Sequence, residues 1–88
     1  MAEVGTTVVL DYGAWLPNGA NFDSGTAFTF TVGIGAVIAG FDEGVQGMRV
    51  GGTRSLVIPP GLAYGDQVVG VIPRNSTLVF RITLTDVQ

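Results

Sequence analysis

The segment VIAGFDEGVQGM, Val37 to Met48, constrains the fold more than any other stretch. Its apolar residues Ile38, Phe41, Val45 and Met48 recur three or four positions apart, the spacing of one helical face. Asp42 and Glu43 fall in the first turn, where the helix dipole favours negative charge, and they read as a dipole complement on a solvated face. Gly40, Gly44 and Gly47 work against the helix, since each weakens it by roughly 1 kcal/mol relative to alanine. A helix this poor does not stand alone. It needs a surface to pack on, and its glycines let that surface come close.

Strands supply the surface. Thr6 to Leu16 is rich in β-branched and aromatic residues, and Pro17-Asn18-Gly19 after it is a turn signal. Phe22 and a short Ser/Gly/Thr stretch follow. Phe28 to Val32 then alternates strictly, as a half-buried strand does. Gly51-Gly52 opens a strand over Thr53 to Ile58, which Pro59-Pro60-Gly61 stops. Leu62 to Asn75 reads as a loop. In Thr77 to Val87 the apolar Leu78, Phe80, Ile82 and Leu84 alternate with outward-facing neighbours. The short connections make neighbouring strands antiparallel. The expected architecture is α+β: a curved antiparallel β-sheet wrapped around one short α-helix, in a single domain over residues 1–88.

Composition narrows the chemistry. Of the 88 residues, 47% are apolar and 12% charged, against about 25% charged on average, which excludes disorder. A chain this short buries only about 60–65% of its unfolded surface, so its stability is expected to be marginal. There is no Cys, His or Lys. Disulfides, zinc sites with nitrogen or sulfur ligands, and the usual general bases and strong nucleophiles are therefore excluded. A net charge of −3 with only four Arg argues against nucleic acid or an anionic membrane as partner. No apolar run approaches the ~20 residues that span a bilayer. MAEVGTTVVL lacks the basic region of a signal peptide, so a soluble protein is expected, with a cytoplasmic location favoured. The seven acids are scattered and none has calcium-loop spacing. No cofactor or metal is called for.

Two motif matches are set aside. Gly33-Ile34-Gly35 lies between a strand and the helix like a dinucleotide loop, but Ile38 stands where the third glycine belongs, and a strand-to-helix turn accounts for it better. Asn75-Ser76-Thr77 matches a glycosylation acceptor without evidence of secretion. What remains is aromatic: Tyr12, Phe22, Phe28, Phe30, Phe41, Tyr64 and Phe80. Phe30, beside Phe28 and Val32 on one strand face, is assigned to the core.

The order of the surrounding motifs gives the other aromatics a further meaning. Val8-Val9-Leu10-Asp11-Tyr12, Asn18 through Ser24 (NGANFDS), Phe28 through Gly33 (FTFTVG), Val37 through Val45 (VIAGFDEGV), Ile58 through Gly65 (IPPGLAYG), Val71-Ile72-Pro73 and Thr77 through Phe80 (TLVF) follow one another in the chain. In that order they resemble the FKBP-type peptidyl-prolyl cis/trans isomerases, from about Thr7 to Val87. The resemblance implies a pocket between helix and sheet, surrounded by Tyr12, Phe22, Asp23, Phe28, Val37, Ile38, Phe41, Tyr64, Ile72 and Phe80. It places Phe41 at the floor, and gives the Ile38 N–H and the Tyr64 hydroxyl the substrate carbonyls to hold. Asp23 becomes a polar wall group bonded to Tyr12.

The implied activity is rotation of Xaa-Pro bonds in proline-containing peptides and unfolded protein clients, with macrolides such as rapamycin as further ligands and a monomer as the working form. The alternative is a catalytically weak binding module for proline peptides or macrolides on the same fold. Departures from the family pattern are Phe41 in place of the usual Trp, shorter loops at Ser24–Phe28 and Tyr64–Ile72, and no counterpart of the family's first strand, which leaves a sheet edge unpaired.

Overall fold

The structure, a computed structural model, describes residues 1–88. Four strands are present: β1 (Thr7–Trp15), β2 (Asn21–Thr31), β3 (Thr53–Ile58) and β4 (Leu78–Val87), with one helix, α1 (Ala39–Val45), and a 3-10 turn at Pro60–Leu62. They form one sheet in the order β2-β1-β4-β3, antiparallel throughout. The central strands carry the clearest alternation. Val8, Leu10 and Ala14 of β1, and Leu78, Phe80, Ile82 and Leu84 of β4, are buried on the inner face. Phe41, Val45 and Met48 meet them from the helix side in the same core cluster. The α+β reading and the inward set of β4 therefore hold. So does the core assignment of Phe30, which is 7% exposed.

The glycines of α1 answer a packing need. A methyl at Gly40 would lie 2.4 Å from Ile58 Cγ2 and 3.2 Å from Ile58 Cβ, and one at Gly44 would lie 2.4 Å from Leu56 Cδ1. The helix therefore lies directly against β3, a distance that only residues without a Cβ allow. Overpacking costs roughly 1–3 kcal/mol, against the roughly 1 kcal/mol that alanine returns in helix propensity. The two glycines differ in what would have to move. Next to Gly40 the obstacle includes the stiff, β-branched stem of Ile58; next to Gly44 it is the tip of a half-buried leucine. Gly40→Ala is expected to lower stability by up to about 2 kcal/mol, and Gly44→Ala to change it by less than about 1 kcal/mol. Urea unfolding of the two variants checks the contrast, and equal losses would contradict it.

The helix is shorter than its sequence spacing suggests. It ends at Val45, and Gly47 follows at φ +84°, a left-handed conformation that turns the chain away. The carbonyls freed at this end are taken by Arg54 of β3, whose Nη1 donates to Gly44 O at 2.7 Å and Gln46 O at 2.9 Å. These bonds place a cation at the negative end of the helix dipole as well. The N-terminal residues lie alongside. Ala2 N–H donates to Met48 O and Gly47 N–H to Ala2 O, both at 2.8 Å, and Ala2 is buried.

Two expectations need correction. Asp42 is not on a solvated face. It is 8% exposed, and its carboxylate accepts the Gly33 N–H at 2.7 Å and the Gly35 N–H at 3.4 Å. Its charge ties the strand-to-helix turn to α1, while Glu43 is the exposed member of the pair. Strand β2 also begins seven residues before Phe28, at Asn21. Its pairing with β1 slips between Leu10 and Tyr12, where Ala27 adopts φ 52° and its N–H is held by Asp11 Oδ1 at 2.9 Å. This irregularity hides the strand's period in the sequence. The outer edges of the sheet are β2 and β3, and β3 pairs only with β4. No helix is long and apolar enough to cross a membrane.

Candidate functional site

A cavity of about 300 Å³ opens between α1 and the inner face of the sheet. Strand β1 contributes Tyr12; β2 contributes Phe22, Asp23 and Phe28; β4 contributes Phe80. The turn into α1 supplies Ala36, Val37 and Ile38, the helix supplies Phe41, and the loop after the 3-10 turn supplies Tyr64. Nine of the ten residues expected from sequence thus line one space. Ile72 does not. It is 5% exposed and packs in the core, where its hairpin pairs with Val69 through bonds of 2.8 and 3.1 Å. Ala36 lines the cavity although no sequence signal marks it; a small residue in a turn has no pattern of its own.

Phe41 is the centre of the aromatic cluster. Its ring centroid lies 5.2 Å from Phe80, 5.6 Å from Phe30, 5.8 Å from Tyr12 and 6.4 Å from Phe28. The planes of Tyr12, Phe28 and Phe80 meet it at 81°, 86° and 77°, the edge-to-face arrangement that ring quadrupoles favour. Only 3% of Phe41 is exposed, so it forms a fixed floor. Gly25 keeps the space for Tyr12, because a Cβ there would meet the tyrosine ring at 2.6 Å.

Polar groups are few and lie at the walls. The Tyr12 hydroxyl donates to Asp23 Oδ2 at 2.9 Å, and Asp23 Oδ1 accepts the Ser24 N–H at 2.9 Å. The tyrosine is thereby locked in orientation. The Ile38 N–H, just ahead of the helix, donates to no group of the chain. The Tyr64 side chain is 37% exposed, and its hydroxyl makes no hydrogen bond within the chain. Two donors thus remain available beside an apolar floor. No His, Cys or Lys is present; the titratable side chains of the site are Asp23, Tyr12 and Tyr64, and the first two are bonded to each other.

The environment of Tyr12 has a pH signature. Burial first, then the hydrogen bond to Asp23, the negative charge of Asp23 and the neighbouring Tyr64 push its pKa up from 10.0 to about 12. The folded state therefore holds this proton more firmly than the unfolded chain. That contribution to stability is complete below pH 10 and is lost as pH rises towards 12. Denaturation midpoints are expected to fall across this window, and Tyr12→Phe is expected to flatten the fall. An unchanged slope in the variant would contradict the assignment.

With this geometry in view, the comparisons with known proteins are specific. The sequence model of the FKBP-type peptidyl-prolyl cis-trans isomerases matches residues 1–85. The chain belongs to that family. It is 49% identical over 89 residues to FK506-binding protein 4 of Mycosarcoma maydis, a match covering 98% of this chain and 24% of that protein. It is 48% identical to FK506-binding protein 3 of Yarrowia lipolytica, covering 99% of this chain and 22% of the relative. FK506-binding protein 2 of Dictyostelium discoideum is 47% identical, with 96% of this chain and 67% of that protein aligned. The chain thus spans about a quarter or less of the first two relatives. Among solved structures it superposes on AtFKBP13 with a TM-score of 0.90 at 40% identity, covering 97% of this chain and 81% of the other. FkpA from Escherichia coli gives 0.87 at 42% identity, covering 98% and 41%.

Proposed function

We propose that the chain, acting as one domain over residues 1–88, is a peptidyl-prolyl cis-trans isomerase that binds the proline ring of a peptide or unfolded client over Phe41. The supporting observation is the cavity itself: a rigid aromatic floor with two unengaged donors, Ile38 N–H and Tyr64 O–H, at its edge. Resonance sets a barrier of ~18–20 kcal/mol to amide rotation. In the twisted transition state that resonance is lost and the carbonyl carries less charge. An apolar cavity solvates this form better than it solvates the planar amide, which is differential binding of the transition state. Phe28, Val37, Ile38, Phe41 and Phe80 exclude water, while the two donors hold carbonyls on either side of the rotating bond. Asp23 keeps the Tyr12 ring in place as a wall. Nothing in this scheme needs an acid, a base or a nucleophile.

The family membership, and relatives named for binding FK506, support macrolides as ligands of the same cavity. The proposed working form is a monomer, since the cavity is built wholly within one chain. Titrating a Leu-Pro peptide into 15N-labelled protein is expected to move the Ile38 amide resonance and those of Val37 and Tyr64. Shifts confined to the outer face of the sheet would contradict the site. Tyr64→Phe is expected to weaken peptide or macrolide binding by about 0.5–1.5 kcal/mol, the net worth of one hydrogen bond. Calorimetry checks it, and unchanged affinity would remove Tyr64 from the ligand-holding set.

A further inference from the structure

A second concavity, of about 390 Å³, lies on the face of β1 turned away from the core. Along β1 the outward positions are Asp11, Gly13 and Trp15, and the place over Gly13 is taken by the Trp15 ring rather than by a side chain of its own. Across the ladder Gly13 faces Ser24 of β2 on one side and Arg81 of β4 on the other, while Asp11 faces Thr83. The Trp15 ring folds back along the strand, so that a Cβ on Gly13 would meet it at 2.4 Å. The result is a dimple with a half-exposed indole at one end, a carboxylate at the other, a guanidinium at the side, and the hydroxyls of Ser24, Thr26 and Thr83 around it.

The charged groups of this dimple keep free hydrogen-bonding capacity. Asp11 uses Oδ1 to hold the Ala27 N–H at 2.9 Å and leaves Oδ2 free. Among the arginines, Arg54 makes side-chain hydrogen bonds within the chain, but Arg81 makes none. Asp11 and Arg81 do not pair with each other. A simple anion would meet Asp11 and a net charge of −3, and a simple cation would meet Arg81. The set instead suits a neutral ligand that donates and accepts at once and has an apolar face for the indole. A saccharide ring has both: hydroxyls that can donate to Asp11 and accept from Arg81, and C–H groups that can lie against Trp15.

We propose that this concavity is a weak binding site for a neutral sugar, free or carried on a glycan, separate from the proline cavity, with which it shares only Tyr12 of its lining. Trp15 is the only tryptophan in the chain, so its fluorescence reports on the site directly. Maltose and N-acetylglucosamine would be titrated into the intact protein, with sodium acetate and glycine as comparison probes. The expected result is a saturable change in Trp15 emission with at least one sugar and with neither comparison probe. Affinity is expected to fall roughly tenfold in Arg81→Ala, the loss of one charge-assisted hydrogen bond. Peptide binding in the proline cavity should be unchanged by the sugar and by that exposed substitution. Saturation-transfer NMR on the sugar protons provides a readout that does not depend on tryptophan. No saturable response to either sugar, a stronger response to acetate or glycine, or undiminished binding in folded Arg81→Ala would each overturn the proposal.

Discussion

Phe41→Ala is expected to lower the free energy of unfolding by about 3–5 kcal/mol and to abolish ligand binding in the proline cavity. The side chain is 3% exposed and within aromatic packing distance of Tyr12, Phe28, Phe30 and Phe80, so the cavity left behind has four rings to destabilise. A domain of this size has a total stability of roughly 4–13 kcal/mol, so the variant reaches the limit of folding if the parent lies at the lower end of that range. Phe41→Leu separates the two roles. Leucine keeps most of the apolar volume, so the chain should fold, but it offers no flat ring to a proline. Denaturant unfolding and peptide titration of both variants check the claim. A folded Phe41→Leu that binds peptide as tightly as the parent would show that the ring is core alone.

Asp42→Ala is expected to cost about 1.5–3 kcal/mol, the range for a hydrogen bond to a charged group. The carboxylate accepts N–H groups from Gly33 and Gly35 in a part-buried setting, and alanine leaves both donors without that partner. The consequence should reach the ligand as well, because the same turn carries Ala36, Val37 and the Ile38 N–H into the cavity wall. Asp42→Asn, which retains one acceptor oxygen, should lose less. Urea unfolding with a parallel peptide titration tests this. If stability falls while peptide affinity holds, the turn is fixed by its own backbone and Asp42 only anchors the helix.

Much of the fold is legible in the sequence alone. Strand β4 declares itself because one face is buried along nearly its whole length, so apolar and outward residues alternate without a break. The glycines of the helix point to a close-packed surface, and that surface is Ile58 and Leu56 of β3. Motif order brings nine cavity residues together from β1, β2, α1, β4 and two connecting segments, which no local periodicity could do. Local reading fails where the deciding contact is non-local. Asp42 looks like an ordinary first-turn acid, because nothing in the sequence says that Gly33 and Gly35 return to meet it. The first half of β2 looks like a loop, because the slip opposite Tyr12 breaks its alternation. Ile72 follows its motif towards the site, but its hairpin turns the side chain into the core. The concavity beside Trp15 leaves no trace in the sequence because its lining comes together from β1, β2 and β4 only through their pairing, and the indole folds back over Gly13.

The most direct test is the cis-to-trans rate of a short Leu-Pro peptide with purified protein, measured with and without a macrolide such as rapamycin. The proposed mechanism predicts acceleration over the uncatalysed rate, abolished once the macrolide fills the space above Phe41. A folded protein that leaves the uncatalysed rate unchanged would contradict it, and the cavity would then be a binding site without catalysis.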